Sequence, residues 1–247
     1  MTARLPEAVA SRLVELGARH RLPEAALEQL ERYLHLLSEP QAPTAVHAPG
    51  RAIEVHLTDS LAALELPHVR EARHAADLGS GAGLPGLPLA VALPALEVHL
   101  VESVARKADW LREASRALEA ANARVVNLRV ESWAQGAGAM DLVTARALAE
   151  PAVVLEYGAP LLRDGGALLD WRTRAADEPA PGVPGAELCA VAEALGLRFL
   201  ARHAIAPSAA ASRHVIDLYL KVRPTPAGYP RRPGIARKRP LRPSGSA

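Results

Sequence analysis

"AADLGSGAGLPGLPLAVAL", residues 75–93, sets Gly79, Gly81, Gly83 and Gly86 between two apolar runs. The first run reads as the end of a strand and the second as a helix, so the glycines fall at the handover. Glycine there permits left-handed backbone angles and lets a ligand lie against free amide N–H groups at the helix start. Gly81, Gly83 and Gly86 also satisfy G-x-G-x-x-G, a spacing shared with dinucleotide sites. Two neighbours tilt the reading elsewhere. Asp77 gives D-x-G-x-G-x-G over residues 77–83, and Pro85 follows at once. A carboxylate two residues ahead of the turn repels a pyrophosphate and suits a ligand bearing a cationic amine.

Outward from this turn the chain keeps one rhythm. "LEVHLV" reads as a second strand, "SVARKADWLREASRALEAANA" as a long amphipathic helix, and "RVVNLRV" and "MDLVTA" as the third and fourth strands. "PAVVLEYGAPLL" is a helix and "GALLDWR" a fifth strand. Such alternation predicts a parallel α/β sheet with right-handed crossovers and helices on both faces. "TRAADEPAPGVPG" reads as a polar surface loop. "LRFLARHAIA" and "RHVIDLYLKV" are joined by too few residues for a crossover helix, which predicts an antiparallel pair at the sheet edge. Upstream, "LPEAVASRLVELG" ends at Gly17, a candidate C-cap, and "PEAALEQLERYLHLLSEP" places Leu27, Leu30, Leu34 and Leu37 on one stripe. "RAIEVHLTDSLAALEL" keeps Ile53, Leu57, Leu61 and Leu64 in register. The expected organisation is a helical cap over 1–70, a sheet domain over 71–223 and a basic, Pro-rich flexible tail over 224–247.

Composition excludes several classes. Across 247 residues no apolar run reaches the length of a bilayer span, and the charged N-terminus lacks a signal peptide's core. A soluble, cytoplasmic protein is the expectation. The single cysteine, Cys189, excludes an internal disulfide and sits in a helical segment that predicts a packing role. Nine scattered histidines lack ligand spacing, so no metal is assigned. The net charge of +2 divides into +7 for residues 223–247 and −5 for the remainder, which points to a polyanionic partner.

Further candidates stand at the predicted strand ends. Glu102 closes the second strand, where a carboxylate accepts hydrogen bonds from both hydroxyls of a ribose; the rival reading is a solvated acid at a helix start. S-adenosylmethionine carries a ribose, a sulfonium and an ammonium but no phosphate, so Asp77, Gly79, Gly81, Gly83 and Glu102 suit it better than NAD. Arg129, Glu131 and Trp133 close the third strand, with Trp133 read equally as an adenine flank or as core. Arg146 closes the fourth, as a fork for carboxylate or phosphate or as a surface residue. His56 and Asp59, three apart on one predicted helix face, are either acceptor-pocket groups or a hydrogen-bonded pair. No N/D-P-P-aromatic motif follows the fourth strand and no cysteine pair exists, which leaves open a target such as a ring nitrogen with a free lone pair. A valine at Gly83 is expected to block the cofactor and spare the fold.

These stretches resemble the bacterial small-subunit ribosomal RNA guanine-N7 methyltransferases, the glucose-inhibited division protein B family, over nearly the whole chain. "HLTDSL" resembles its H-x-x-D-S-L, and "DLGSGAGLPGLPLA" its D-[VLI]-G-[TS]-G-x-G-[LF]-P-G-[IL]-P-L-A run. "VESVARKADWL", "RVES", "DLVTARALA" and "YPRRPGIARKRPL" resemble four more signatures, while Ala42-Pro43-Thr44 stands where the family reads Asn-Leu-Thr. The resemblance implies a class I, Rossmann-like methyltransferase with a mostly parallel seven-stranded sheet, an antiparallel edge pair and an N-terminal helical cap. It implies S-adenosylmethionine as cofactor and one guanine in the 530 loop of 16S rRNA as target. Its cofactor contacts would be Gly79, Leu84, Glu102, Ser103, Val104, Val130, Glu131 and Arg146, with Arg129 beside them. Guanine N7 has an exposed lone pair, so no general base is required and the catalytic residues stay unassigned, with His56, Asp59 and Arg129 nearest the acceptor. Arg129, Arg146, Tyr229, Arg231, Arg232, Arg237, Lys238 and Arg239 are the candidate RNA contacts, the tail acting as a flexible phosphate clamp or as a solubilising segment. The rival functions are a methyltransferase for a small molecule or protein, and a non-catalytic RNA-binding protein with a degenerate cofactor fold.

Overall fold

The computed structural model describes residues 4–173, 183–205 and 214–243. Its N-terminal part is helical: α1 (Glu7–His20) and α2 (Glu24–Ser38) pack side by side, with Leu30, Leu34 and Leu37 fully buried. Gly17 is not the expected cap. The helix runs on to His20 and ends at Arg21, which takes the left-handed conformation with φ 57°. Gly17 faces α2 instead, and a Cβ there would stand 2.5 Å from Leu27 Cδ2. Close helix packing, not termination, explains the glycine.

The third helical stretch is broken into pieces. It runs through α3 (Pro49–Ala52), a π-helical turn over Ile53–Thr58, α4 (Asp59–Leu61), a 3₁₀ turn over Ala62–Glu65 and α5 (Pro67–Glu71). Ile53, Leu57, Leu61 and Leu64 are all buried, as their register predicts. The wider turn re-aims the side chains that follow it, a device that concentrates at functional sites.

The sheet domain then follows as β1 (His74–Leu78), α6 (Gly86–Ala92), β2 (Glu97–Val101), α7 (Ala105–Ala117), β3 (Ala123–Val126), β4 (Met140–Arg146), α8 (Pro151–Gly158), β5 (Leu162–Thr173), α9 (Ala186–Ala194), β6 (Leu197–Ala204), β7 (His214–Lys221) and α10 (Ile235–Lys238). Among the described residues the seven strands form one sheet in the order β3-β2-β1-β4-β5-β7-β6. Strands β1 to β5 are parallel, and β7 runs antiparallel to both β5 and β6. The expected antiparallel pair is present, with β6 at the edge and β7 inside it. Its connection, 206–213, and most of the predicted polar loop, 174–182, lie outside the described residues. The strand order reverses between β1 and β4, where open α/β sheets bind ligands at the carboxyl ends.

Alternation along the strands sorts two cores. Ala75 and Leu142 face the N-terminal helices, α6 and α7, whereas Ala76, Leu78 and Val143 face α8 and α9. The cap therefore shares its core with one face of the sheet. Cys189 on α9 is partly exposed, its thiol donating to the Pro184 carbonyl at 3.5 Å. Among the described residues no helix is long and apolar enough to cross a membrane, and no group of three or more His, Cys, Asp or Glu side chains could hold a metal ion.

Candidate functional site

The glycine turn links β1 to α6 with φ of +67° at Gly79, +56° at Gly81 and +86° at Gly83. Its first two amides, Gly79 and Ser80, donate to the Val101 carbonyl at the tip of β2. The Gly81 amide donates to Glu102 Oε2 at 3.1 Å, and the Val104 amide donates to Oε1 at 2.8 Å. Glu102 thus joins the turn to the start of α7 while its remaining lone pairs border a cleft. From below, the buried Tyr33 hydroxyl on α2 donates to the Ala82 carbonyl at 2.5 Å, so the cap braces the turn. Burial also holds that phenol well above its ordinary pKa.

Asp77 lies outside the cleft lining. Strand alternation turns it into the core beneath the turn, fully buried, where Oδ1 accepts from Thr144 Oγ1 at 2.9 Å and Oδ2 from the Gly86 amide at 3.2 Å. It ties β1 to β4 and to the first turn of α6. Desolvation pushes its carboxyl up to about 6 against those hydrogen bonds. Gly83 is a packing position as well: a Cβ there would lie 2.5 Å from Leu87 Cδ1 and 3.2 Å from Leu111 Cδ2, so valine would disturb the core as well as the cofactor.

The first cleft, about 480 Å³, lies over the tips of β1, β2 and β3 and is lined by Gly79, Glu102, Ser103, Val104, Arg129, Val130 and Glu131 among the expected residues. Gly81, Gly83, Leu84 and Arg146 lie outside its lining, and Trp133 is buried core against His99. Val104 and Leu128 stand in its wall 48% and 43% exposed, an apolar surface suited to a nucleobase. Leu128 has no polar or glycine signal to mark it in the sequence, only its place inside the third apolar run. These residues fit a nucleoside without phosphate. A pyrophosphate would compete with Glu102 for the Gly81 amide and meet its carboxylate at close range.

The C-terminal segment corrects a further expectation. It packs. The Arg231 guanidinium grips the fully buried Glu156 of α8 through both carboxylate oxygens at 2.5–3.1 Å, and its amide donates to Oε1. The Gly234 amide donates to Glu131 Oε1 at 2.9 Å, and Arg237 donates to the Leu148 carbonyl at 2.8 Å. Tyr229 and Ala236 join the second core cluster. The strap so formed brings Arg237 into the cleft lining. A buried acid, missed in the sequence, overcomes the Pro- and Arg-rich composition. Arg231 and Tyr229 are therefore held by the fold, whereas Arg232, Arg237, Lys238 and Arg239 remain exposed.

A second cleft of about 410 Å³ adjoins the first at Ala147, which lines both. Asp59, Arg146, Asp170, Trp171, Arg172 and His214 surround it. The fully buried Asp59 accepts from His214 Nδ1 at 2.5 Å and lies 3.5 Å from Arg146, which also donates to the Val55 carbonyl in the π turn. Trp171 Nε1 donates to the Asp59 carbonyl at 3.0 Å. Arg146 thus reaches from the end of β4 into the cap rather than over the glycine turn. His56 lies outside both linings, bonded through Nε2 to Thr44 Oγ1 at 2.9 Å. Burial, then the nearby Arg146 charge, pushes it down to about 4, so it stays neutral.

Sheet order, glycine turn and acid-tipped β2 together define a class I methyltransferase. A solved S-adenosylmethionine-dependent methyltransferase from Aquifex aeolicus shares this fold, with a TM-score of 0.56 and 16% identity over 76% of this chain and 97% of that one. The family model for rRNA small subunit methyltransferase G matches residues 26–186, and the chain belongs to that family. A protein described as ribosomal RNA small subunit methyltransferase G from Rubrobacter xylanophilus is 36% identical over 89% of this chain and 85% of its own length. A relative of the same description from Stenotrophomonas maltophilia is 44% identical over 67% of this chain and 77% of its own.

Proposed function

We propose that the protein transfers the methyl group of S-adenosylmethionine to N7 of one guanine in the 530 loop of 16S rRNA, and works in the cytoplasm where that RNA resides. Family membership supports the reaction, and the observation that carries the cofactor assignment is Glu102 on the Gly81 amide, which disfavours phosphate and leaves acceptors for a ribose. The bound cofactor supplies a methyl on a cationic sulfur: the N7 lone pair forms the new N–C bond, the C–S electron pair stays on sulfur, and the positive charge passes to the guanine ring.

The chain's own residues then have a positioning task. Glu102 holds the ribose, Val104 and Leu128 flank the base, and the strap carrying Arg237 closes the outer wall. The second cleft receives the target base, with Ala147 between donor and acceptor. Alignment of this kind is worth about 7–11 kcal/mol without any proton transfer. N7 lies in the deep, narrow major groove of A-form RNA, so the target must be in a loop or turned out of its stack. Arg129 and the exposed cations Arg232, Lys238 and Arg239 stand ready for its phosphates.

Incubation with methyl-labelled cofactor and, separately, small ribosomal subunits, naked 16S rRNA and a protein extract tests this reading. The expected result is 7-methylguanosine at a single position of the 530 loop by mass spectrometry of RNA digests. Label in protein, in a small molecule or at another base contradicts it.

A further inference from the structure

Among the described residues, one carboxylate of the second cleft has no hydrogen-bond donor. Asp170, near the carboxyl end of β5, is only 4% exposed and lines the cleft. Its neighbours in register are Ala145 on β4 and Asp217 on β7. The nearby donors are committed elsewhere. Arg202 forms two bonds to Asp217 at 2.6 and 2.9 Å, and Trp171 donates to the Asp59 carbonyl. Arg172 stands 3.8 Å from Asp217 and acts on Asp170 through its charge alone. Among the described residues, no group donates a hydrogen bond to the Asp170 side chain. Burial above all, with Asp217 opposite and only Arg172 countering, pushes its carboxyl up to about 7. A buried acceptor left unmet destabilises the fold, and such a group in a cleft awaits a donor from outside.

A carboxylate has two acceptor oxygens side by side and pairs best with two parallel N–H donors. Among the RNA bases only guanine offers that pattern, through N1–H and the 2-amino group. Adenine and cytosine each place an acceptor beside their amino group, and uracil has a single N–H. Holding that edge leaves N7 uncovered, and the cleft borders the cofactor side at Ala147, which lines both clefts. The ring becomes cationic as N7 is methylated, so a carboxylate against N1–H binds more strongly as the reaction proceeds, which is where binding accelerates chemistry.

We propose that Asp170 determines guanine specificity by accepting hydrogen bonds from N1–H and the 2-amino group of the target base in this second cleft. The inference rests on the guanine-N7 reading above.

The test pairs a protein change with a base change. RNA with inosine at the target keeps N1–H, O6 and N7 but lacks the 2-amino group. Wild-type protein should methylate inosine RNA with kcat/KM about tenfold below guanosine RNA, the loss expected when a buried polar group is left unpaired. Asp170→Ala should lower kcat/KM on guanosine RNA by about tenfold or more and discriminate the two RNAs by less than about threefold. Asp170→Asn keeps the shape with one acceptor and should fall between them. Calorimetry with S-adenosylhomocysteine on both variants should match wild type, which separates recognition from damage to the fold. Full guanosine–inosine discrimination in Asp170→Ala overturns the proposal, as does its absence in wild type. Failure of wild type to methylate either RNA overturns the parent reading instead.

Discussion

The two clefts at the carboxyl end of the sheet are built in opposite ways. The first is made mainly from short stretches, the glycine turn, the tip of β2 and residues 128–131, closed by Leu148, Tyr157 and Arg237, and much of its bonding uses backbone amides. The second is made from side chains that meet only after folding. Asp59 touches Trp171 across 112 positions and His214 across 155. A site of the first kind rests on a local backbone path and on the one carboxylate, Glu102, that ties its amides together, so changes there should reach cofactor binding more than stability. A site of the second kind depends on charges brought together from the cap, β4, β5 and β7, so single side-chain changes should reach both stability and substrate recognition.

Asp59→Ala should give the largest effect. It leaves Arg146 without its carboxylate in the seam between cap and sheet, a loss of about 3–5 kcal/mol for a broken buried pair. Urea unfolding measures it, and a loss below about 1 kcal/mol would erase the energetic contrast between the clefts.

Asp170→Asn should move stability the other way. A carboxyl raised in the folded state contributes stability fully present below the ordinary carboxylate range and lost as pH rises through about 7. The asparagine variant should therefore exceed wild type by roughly 2–4 kcal/mol at pH 8, with the gap closing towards pH 4. Urea midpoints at the two pH values check it; a gap that does not change with pH removes the buried charge as its cause. More stability with weaker base discrimination is the signature of a functional group, not a structural one.

Glu156→Ala tests the strap. It removes the partner of Arg231, at a cost of about 1.5–3 kcal/mol for charged hydrogen bonds, and should loosen the segment that carries Gly234 and Arg237 to the first cleft. Cofactor affinity should fall about tenfold by calorimetry, a change of about 1.4 kcal/mol. Unchanged affinity would show that the strap is no part of the cleft.

Gly81→Ala should be the mildest. The new Cβ has no neighbour nearer than the Gly79 carbonyl oxygen at 3.7 Å, so only the φ of +56° resists it, at about 1–2 kcal/mol. The backbone should shift the amide away from Glu102 and weaken cofactor binding while the melting temperature moves little. A larger stability loss than Asp59→Ala causes would reverse the contrast between backbone-built and side-chain-built sites.

The same contrast explains what could be read in advance. The strand "HAADL", the glycines and Glu102 were legible because a local apolar run, a turn and an edge acid need no knowledge of partners. Asp77 misled because the motif shows spacing but not the strand alternation that turns the carboxylate inward to Thr144 and Gly86. Gly17 misled because the close approach of Leu27 is a tertiary fact. The strap had one available signal, a lone glutamate in the otherwise apolar "PAVVLEYGAPLL", whose burial demands a cation. The second cleft was legible only in part: Asp59 and Arg146 stood out, whereas Asp170, Arg172 and His214 did not. His214 reaches Asp59 only because β7 inserts between β5 and β6, and no local pattern encodes that placement.

Titration calorimetry of the purified protein with S-adenosylhomocysteine and, separately, NAD decides whether the first cleft seats a sulfur nucleoside or a dinucleotide. Saturable one-to-one binding of the sulfur nucleoside is expected, lost when Glu102 becomes alanine, with no binding of NAD. Tight binding of NAD with no response to the sulfur nucleoside would contradict it.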